Sequence, residues 1–146
     1  MKSQSIEKFF KYPPFYFKIL KQSKKACFNY NSDEFTGSLL RSLATSKPSS
    51  YILELGTGCG LGTSWLLDGM DKNSVLHTVE KENSLIQIAK NYFFDDPRAR
   101  FFCANGENFI KENKQQYDII FADTWPGKFY LLEEVLNLLK PGRDID

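Results

Sequence analysis

The sequence predicts an α/β domain of three layers built around a mainly parallel sheet, and three observations predict it. Short, nearly continuous apolar runs alternate with amphipathic segments along the chain, as expected of strands covered on both faces by crossover helices. The first of these runs leads straight into a glycine loop, Gly56-Thr57-Gly58-Cys59-Gly60. The second ends in an acid, Glu80.

Taken in order, residues 14–26 and 33–46 predict two leading helices, the second begun by Ser32 or Asp33 and ended near Lys47-Pro48. Tyr51–Leu55 reads as a strand, followed by the glycine loop, a helix from about Gly62 to Met70, a turn at Asp71-Lys72-Asn73-Ser74, and the strand Val75–Val79. Leu85, Ile86, Ile88, Ala89, Tyr92 and Phe93 recur at helical spacing, with Asn83 or Ser84 able to cap the start. Asp95-Asp96-Pro97 stops that helix ahead of the strand Ala99–Cys103. A short helix around Glu107–Glu112 and the strand Tyr117–Ala122 follow. Phe129–Leu139 then predicts an amphipathic helix ended by Lys140-Pro141-Gly142.

Composition excludes several classes. At 146 residues, 42% hydrophobic and 25% charged, the chain reads as one globular domain able to bury a core. No apolar run approaches the roughly 18 residues of a membrane span, and the N-terminus lacks a secretory signal pattern, so the cytoplasm is the expected location. Cys27, Cys59 and Cys103 include no CxxC pair and suggest neither a disulfide framework nor a zinc site; small buried hydrophobes are the expectation. Residues 1–25 hold seven lysines against one acid, interleaved with Phe9, Phe10, Tyr12, Phe15, Tyr16 and Phe17. That pattern could stack bases or touch a membrane surface. The alternative, an arm whose aromatic face packs on the domain or lines a substrate pocket while its lysines stay in water, is preferred because the basic excess is confined to this segment. Neither nucleic acid nor membrane is therefore the expected partner.

The loop after the first strand is so poor in side chains that a ligand can approach its backbone. Counting Gly62, its glycines stand at alternate positions, whereas a dinucleotide fingerprint places Gly at the sixth position, here Leu61. Glu80, at the end of the second strand, can accept hydroxyl protons from a ribose and would repel a 2′-phosphate. His77 is the only histidine and lies mid-strand, no Gly-x-Ser-x-Gly elbow is present, and the glycine loop lacks a Gly-Lys-Ser/Thr ending. Hydrolase and NTPase readings fall away.

The strand around Glu54 followed by Gly-x-Gly-x-Gly resembles motif I of class I S-adenosylmethionine-dependent methyltransferases, whose fold is Rossmann-like. In that resemblance Glu80 matches the ribose-binding acid, and Asn105 in Ala104-Asn105-Gly106-Glu107 matches the residue that reads the adenine amino group. Phe121-Ala122-Asp123-Thr124-Trp125-Pro126-Gly127-Lys128 and Leu138-Leu139-Lys140-Pro141-Gly142 look like small-molecule O-methyltransferases of the catechol and caffeoyl-CoA type. Thr36-Gly37-Ser38-Leu39-Leu40 looks like their segment near the methionine part of the cofactor. The resemblance implies the strand order 3-2-1-4, S-adenosylmethionine as cofactor, and methylation of a small hydroxylated acceptor. Its implied cofactor contacts are Thr36, Gly37, Glu54, Gly56, Thr57, Gly58, Gly60, Glu80, Asn105, Gly106 and Asp123, with Asp123 and Lys128 as catalytic candidates.

Alternatives stay open at several positions. Glu54 either orients the loop or meets the methionine ammonium, or it is a strand-end carboxylate satisfied by loop amides. Lys128 is either a base or a helix-start residue, and Trp125 either a loop anchor or a substrate wall. An Asp in the place of Asp123 helps bind a divalent metal such as magnesium in the resembling enzymes. The other metal ligands fall in a segment after a fifth strand that this chain does not contain, so metal dependence is unsupported.

The expected organisation is an N-terminal helical arm over 1–32 and a cofactor-binding methyltransferase domain over 33–146 whose C-terminal strands are missing. Ending there would leave an apolar sheet edge for a second copy or a partner chain to cover. The rival to the enzyme is accordingly a non-catalytic binding or interaction module of the same fold.

Overall fold

The structure, a computed structural model, describes residues 11–124 and 131–141. Two helices lead, α1 (Tyr16–Lys25) and α2 (Glu34–Ser46). Strands and helices then alternate: β1 (Tyr51–Leu55), α3 (Leu61–Gly69), β2 (Val75–Glu80), α4 (Asn83–Phe93), β3 (Ala99–Cys103), α5 (Gly106–Glu112), β4 (Ile119–Ala122) and α6 (Leu132–Leu136). The four strands form one sheet in the predicted order β3-β2-β1-β4, and every pairing is parallel.

Alternation along the strands divides the core into two layers. Ile52 and Leu76 point into the cluster built with α1, α2, α3 and α4, where Tyr16, Ile19, Leu40, Trp65, Leu66 and Phe93 are buried. Leu53, Leu55 and Val79 point the other way, onto Ile110, Tyr117, Val135 and Leu138 of α5, α6 and their flanks. A parallel sheet covered on both faces explains why its strands read as apolar runs.

Local chemistry fixes the leading helices. Asp33 caps α2, its carboxylate accepting the Thr36 amide at 2.7 Å, and that bond holds the carboxyl below its ordinary range. The described part of the N-terminal segment, from residue 11, adopts the packed arrangement: Tyr16 and Ile19 are buried while Lys18, Lys21, Lys24 and Lys25 are exposed. Gly37 faces the Trp65 indole so closely that a Cβ there would overlap the ring, which brings α2 tight against α3. At the far end of α3, Arg98 grips both oxygens of Asp96 and donates to the carbonyls of Leu67 at 2.9 Å and Met70 at 2.8 Å.

Four local expectations are corrected. Neither Asn83 nor Ser84 caps α4; Glu82 holds the cap position without a side-chain bond, because backbone bonds from Leu85 and Ile86 to the Glu82 carbonyl start the helix. The fourth strand begins at Ile119, with Tyr117 in an isolated parallel bridge to Leu139. That bridge draws Leu139 out of the final helix, whose described extent is Leu132–Leu136 with a left-handed Leu131 at its N-cap; the predicted start at Phe129 lies outside the described residues. Of the cysteines only Cys59 is buried; Cys27 and Cys103 are exposed at the end of a helix and of an outer strand.

Candidate functional site

Of the residues singled out by sequence, the carboxyl ends of the four strands gather the glycine loop, Glu80, Asn105 and Asp123. β1 and β4 are neighbours, so the chain leaves β1 at Gly56 beside the point where it leaves β4 at Asp123: the Asp123 amide donates to the Leu55 carbonyl at 2.9 Å. This is the switch point of the sheet, where strand order reverses, the place at which open α/β sheets bind their ligands. Glu80 ends β2 on the other side of β1, and Asn105 follows β3.

The chain's own groups anchor the glycine loop. The amides of Gly56 and Thr57 donate to the Val79 carbonyl at 2.8 and 3.1 Å, and the Gly58 amide donates to Glu80 Oε1 at 2.9 Å. Glu80 Oε2 accepts the Glu82 amide at 3.1 Å. Gly56, Gly58 and Gly60 all have φ between 55° and 104°, a backbone region that disfavours side chains.

Close neighbours add a second reason for glycine. A Cβ on Gly58 would lie 2.8 Å from the Phe28 ring, and one on Gly60 would lie 2.9 Å from the Ala89 side chain. Gly56 is half-buried, whereas Gly58 and Gly60 are buried, so the backbone approach anticipated along the loop is most open at its start. Phe28 reaches the loop because α1 ends in a turn with Cys27 left-handed and the Phe28 amide returned to the Ser23 carbonyl.

Glu54 is 1% exposed, and its partners are not loop amides: Oε1 accepts the hydroxyls of Thr63 at 2.6 Å and Thr78 at 2.7 Å. The reading of Glu54 as a carboxylate satisfied by loop amides is thereby corrected. Its side chain leaves mid-strand toward α3, whereas those amides turn to Val79 and Glu80. Burial pushes its carboxyl up to about 7 despite those two bonds, with Asp123 and Glu80 adding smaller like-charge contributions.

Asn105 caps α5, its side-chain oxygen accepting the Glu107 amide at 2.8 Å, with Gly106 as the first helical residue. Thr36 and Gly37 direct their amides to Asp33, and Gly37 is committed to the Trp65 contact. Lys128 and Trp125 lie outside the described residues. Among the described residues no group of three or more His, Cys, Asp or Glu side chains is arranged to hold a metal ion.

Sequence reading missed Phe28, Thr63 and Thr78. Thr78 carried a signal, a hydroxyl two positions from Leu76 and so on the same face of its strand; for Phe28, nothing local distinguished it from its aromatic neighbours.

No family model matches the chain. A protein of Mycobacterium sp. strain JLS named "Putative O-methyltransferase" is 31% identical over 112 residues, covering 73% of this chain and 51% of the relative. A protein of the same name from Mycobacterium avium strain 104 is 32% identical over 113 residues, covering 73% and 50%. The chain thus spans about half the length of the curated relatives it matches. Among solved structures, the Bacillus cereus O-methyltransferase in complex with S-adenosylhomocysteine superposes with a TM-score of 0.80 at 21% identity, over 92% of this chain and 65% of that one. The chain therefore has a class I S-adenosylmethionine-dependent O-methyltransferase-like fold and is related in sequence to proteins named as O-methyltransferases.

Proposed function

We propose that this chain binds S-adenosylmethionine at the carboxyl ends of its strands, and that the protein it represents methylates a hydroxyl of a small molecule. The observation that carries the reading is the bond from the Gly58 amide to Glu80. It joins the glycine loop and the ribose-type acid into one cradle at the switch point, with Asp123 on its other side.

The residues present fit that cofactor. Glu80 supplies carboxylate oxygens for ribose hydroxyls, the Asn105 oxygen retains a lone pair for the adenine amino group, and buried Glu54 offers negative charge for the methionine ammonium. When bound, the cofactor supplies a methyl group already activated by its sulfonium. What remains for the chain is to hold the acceptor in line and to take up its proton. We assign the first role to Asp123, at the switch point, and the second to Lys128; Trp125 is read as a wall of the acceptor site. A divalent metal such as magnesium would reach this centre through Asp123 together with ligands from outside the described residues.

Residues 33–146 are read as the cofactor-binding domain, with 1–32 as an N-terminal helical arm. No helix among the described residues is long and apolar enough to cross a membrane. The reading adopts the cytoplasm as location, a small-molecule acceptor rather than nucleic acid, and a second copy or partner chain over the β4 edge. Isothermal titration with S-adenosylhomocysteine, with NAD as control, tests the proposal: saturable binding of the first alone supports it, and no binding by folded protein overturns it. Binding without turnover of any hydroxylated acceptor would favour the non-catalytic module.

A further inference from the structure

Three hydroxyls and one carboxylate form a continuous relay beneath the glycine loop. Thr57, in the loop, and Thr78, on β2, share a hydrogen bond of 2.6 Å. Thr78 donates its hydroxyl hydrogen bond to Glu54 Oε1 on β1 at 2.7 Å, which obliges Thr57 to be the donor to Thr78. Thr63, on the first turns of α3, donates to the same Oε1 at 2.6 Å. All four residues are buried, none more than 3% exposed.

Such a relay is a poor device for stability alone. A carboxylate at mid-strand in a core layer of Ile52, Leu76 and Leu66 is costly to desolvate, and an apolar side chain of similar volume would serve that layer better. The arrangement is also one-sided: both hydroxyls converge on Oε1 and neither reaches Oε2. Oε2 is turned to Gly62, where a Cβ would stand only 2.7 Å away, so the missing side chain leaves that oxygen unobstructed. Gly62 lies two residues beyond the loop, at the start of α3.

We propose that Thr78 and Thr63 are positioning residues for the cofactor. By clamping Oε1 they aim Oε2 of Glu54 past Gly62 at the cationic amino group of the ligand, and through Thr57 they tie that aim to the conformation of the glycine loop. The proposal rests on the S-adenosylmethionine reading above. The charged groups that bear on Glu54 are Asp123 after β4 and Glu80 at the end of β2; α3 and the loop contribute the hydroxyls of Thr63 and Thr57. Both hydroxyl bonds to Oε1 favour the ionised carboxylate. Affinity for a ligand bearing an ammonium should rise as pH increases through about 7, where that carboxyl ionises.

The test is titration of the whole chain with S-adenosylhomocysteine between pH 6 and 9. Wild type should bind more tightly as pH rises. The near-isosteric Thr78→Val variant should bind about tenfold more weakly at pH 7, with its pH profile displaced upward because one donor to the carboxylate is gone. Thr78→Ser should restore both affinity and profile. If Thr78→Val does not fold, Thr63→Val, which removes the other Oε1 donor, carries the same expectation. A variant that loses thermal stability but keeps the wild-type affinity and profile overturns the relay and leaves Thr78 a packing residue. Absence of binding by folded wild type overturns the cofactor reading instead, so the two failures are distinguishable.

Discussion

The Glu80 carboxylate accepts the Gly58 amide at 2.9 Å, so the end of β2 is tied directly to the centre of the glycine loop. An acid at this position therefore shapes the cradle as well as offering oxygens to a ribose. Glu80→Ala should weaken S-adenosylhomocysteine binding by about 1–3 kcal/mol, the range for losing a charged acceptor. Glu80→Gln, which keeps one carbonyl oxygen for the Gly58 amide, should recover part of that loss. Calorimetric affinity unchanged in the alanine variant would remove Glu80 from the site.

Gly37 separates packing from cofactor contact. It is helical with no unusual φ, and the atoms nearest to an added side chain are those of the Trp65 indole. Overpacking of this kind destabilises by roughly 1–3 kcal/mol, so Gly37→Ala should lower the urea midpoint accordingly. A variant as stable as wild type but deficient in binding would return Gly37 to the cofactor contacts that sequence resemblance implies.

Glu54 should make stability fall as pH rises. Its folded-state carboxyl is raised from 4.5 to about 7, so between these values the native state holds a proton that the unfolded chain has released. Below 4.5 both states are protonated and no penalty exists; above 7 the penalty is complete, at about 3 kcal/mol for a shift of this size. Glu54→Gln keeps an acceptor for Thr63 and Thr78 but cannot ionise. Its unfolding free energy, measured in urea at pH 5 and pH 8, should lose that component of the pH dependence; a slope equal to that of wild type would contradict the assignment.

His77 works in the opposite direction. Burial, assisted by Arg100, lowers its pKa below 6.5; Nδ1 is engaged with the Tyr117 hydroxyl at 2.8 Å, and Nε2 is buried without a partner. The neutral ring is therefore the folded form. The stability it confers is complete above the unfolded pKa near 6.5 and is lost as pH falls toward the lower folded value, because the unfolded chain then binds the extra proton. Since the Glu54 and His77 windows overlap below 6.5 with opposite signs, wild type alone hides both. His77→Phe, compared with wild type at pH 5 and 7.5, should show less acid destabilisation.

Much of this was legible in the sequence, for a physical reason. Strands buried on both faces must be apolar runs, and crossover helices must be amphipathic, so Ile52-Leu53 and the stripe from Leu85 to Phe93 announce themselves. Gly56 and Glu80 could be placed because they stand where an apolar strand ends, whereas Asn105 was assigned through the family resemblance. What was not legible depends on tertiary approach. The contact of Phe28 with Gly58 arises from the left-handed Cys27 at the end of α1, and the convergence of Thr63 and Thr78 on Glu54 joins three separate elements. Tyr117 was misplaced because an apolar run does not reveal where its ladder bonds begin; here Asp118 turns its carboxylate to the Tyr51 amide and to Lys140 before β4 starts.

Asn105 should serve two roles through a single atom. Its oxygen accepts the Glu107 amide at 2.8 Å and has a second lone pair with which to accept from an adenine amino group. Asn105→Ala should therefore cost about 1 kcal/mol of stability as a lost cap and also weaken S-adenosylhomocysteine binding, whereas Asn105→Asp should preserve both. Capping and base recognition can be told apart with S-inosylhomocysteine, in which a carbonyl oxygen replaces the amino group. Wild type should bind it less tightly than the adenosyl compound, because two acceptors would face one another, and Asn105→Ala should discriminate between the two far less. If the alanine variant retains the full preference, the base is read elsewhere and Asn105 is a helix cap alone.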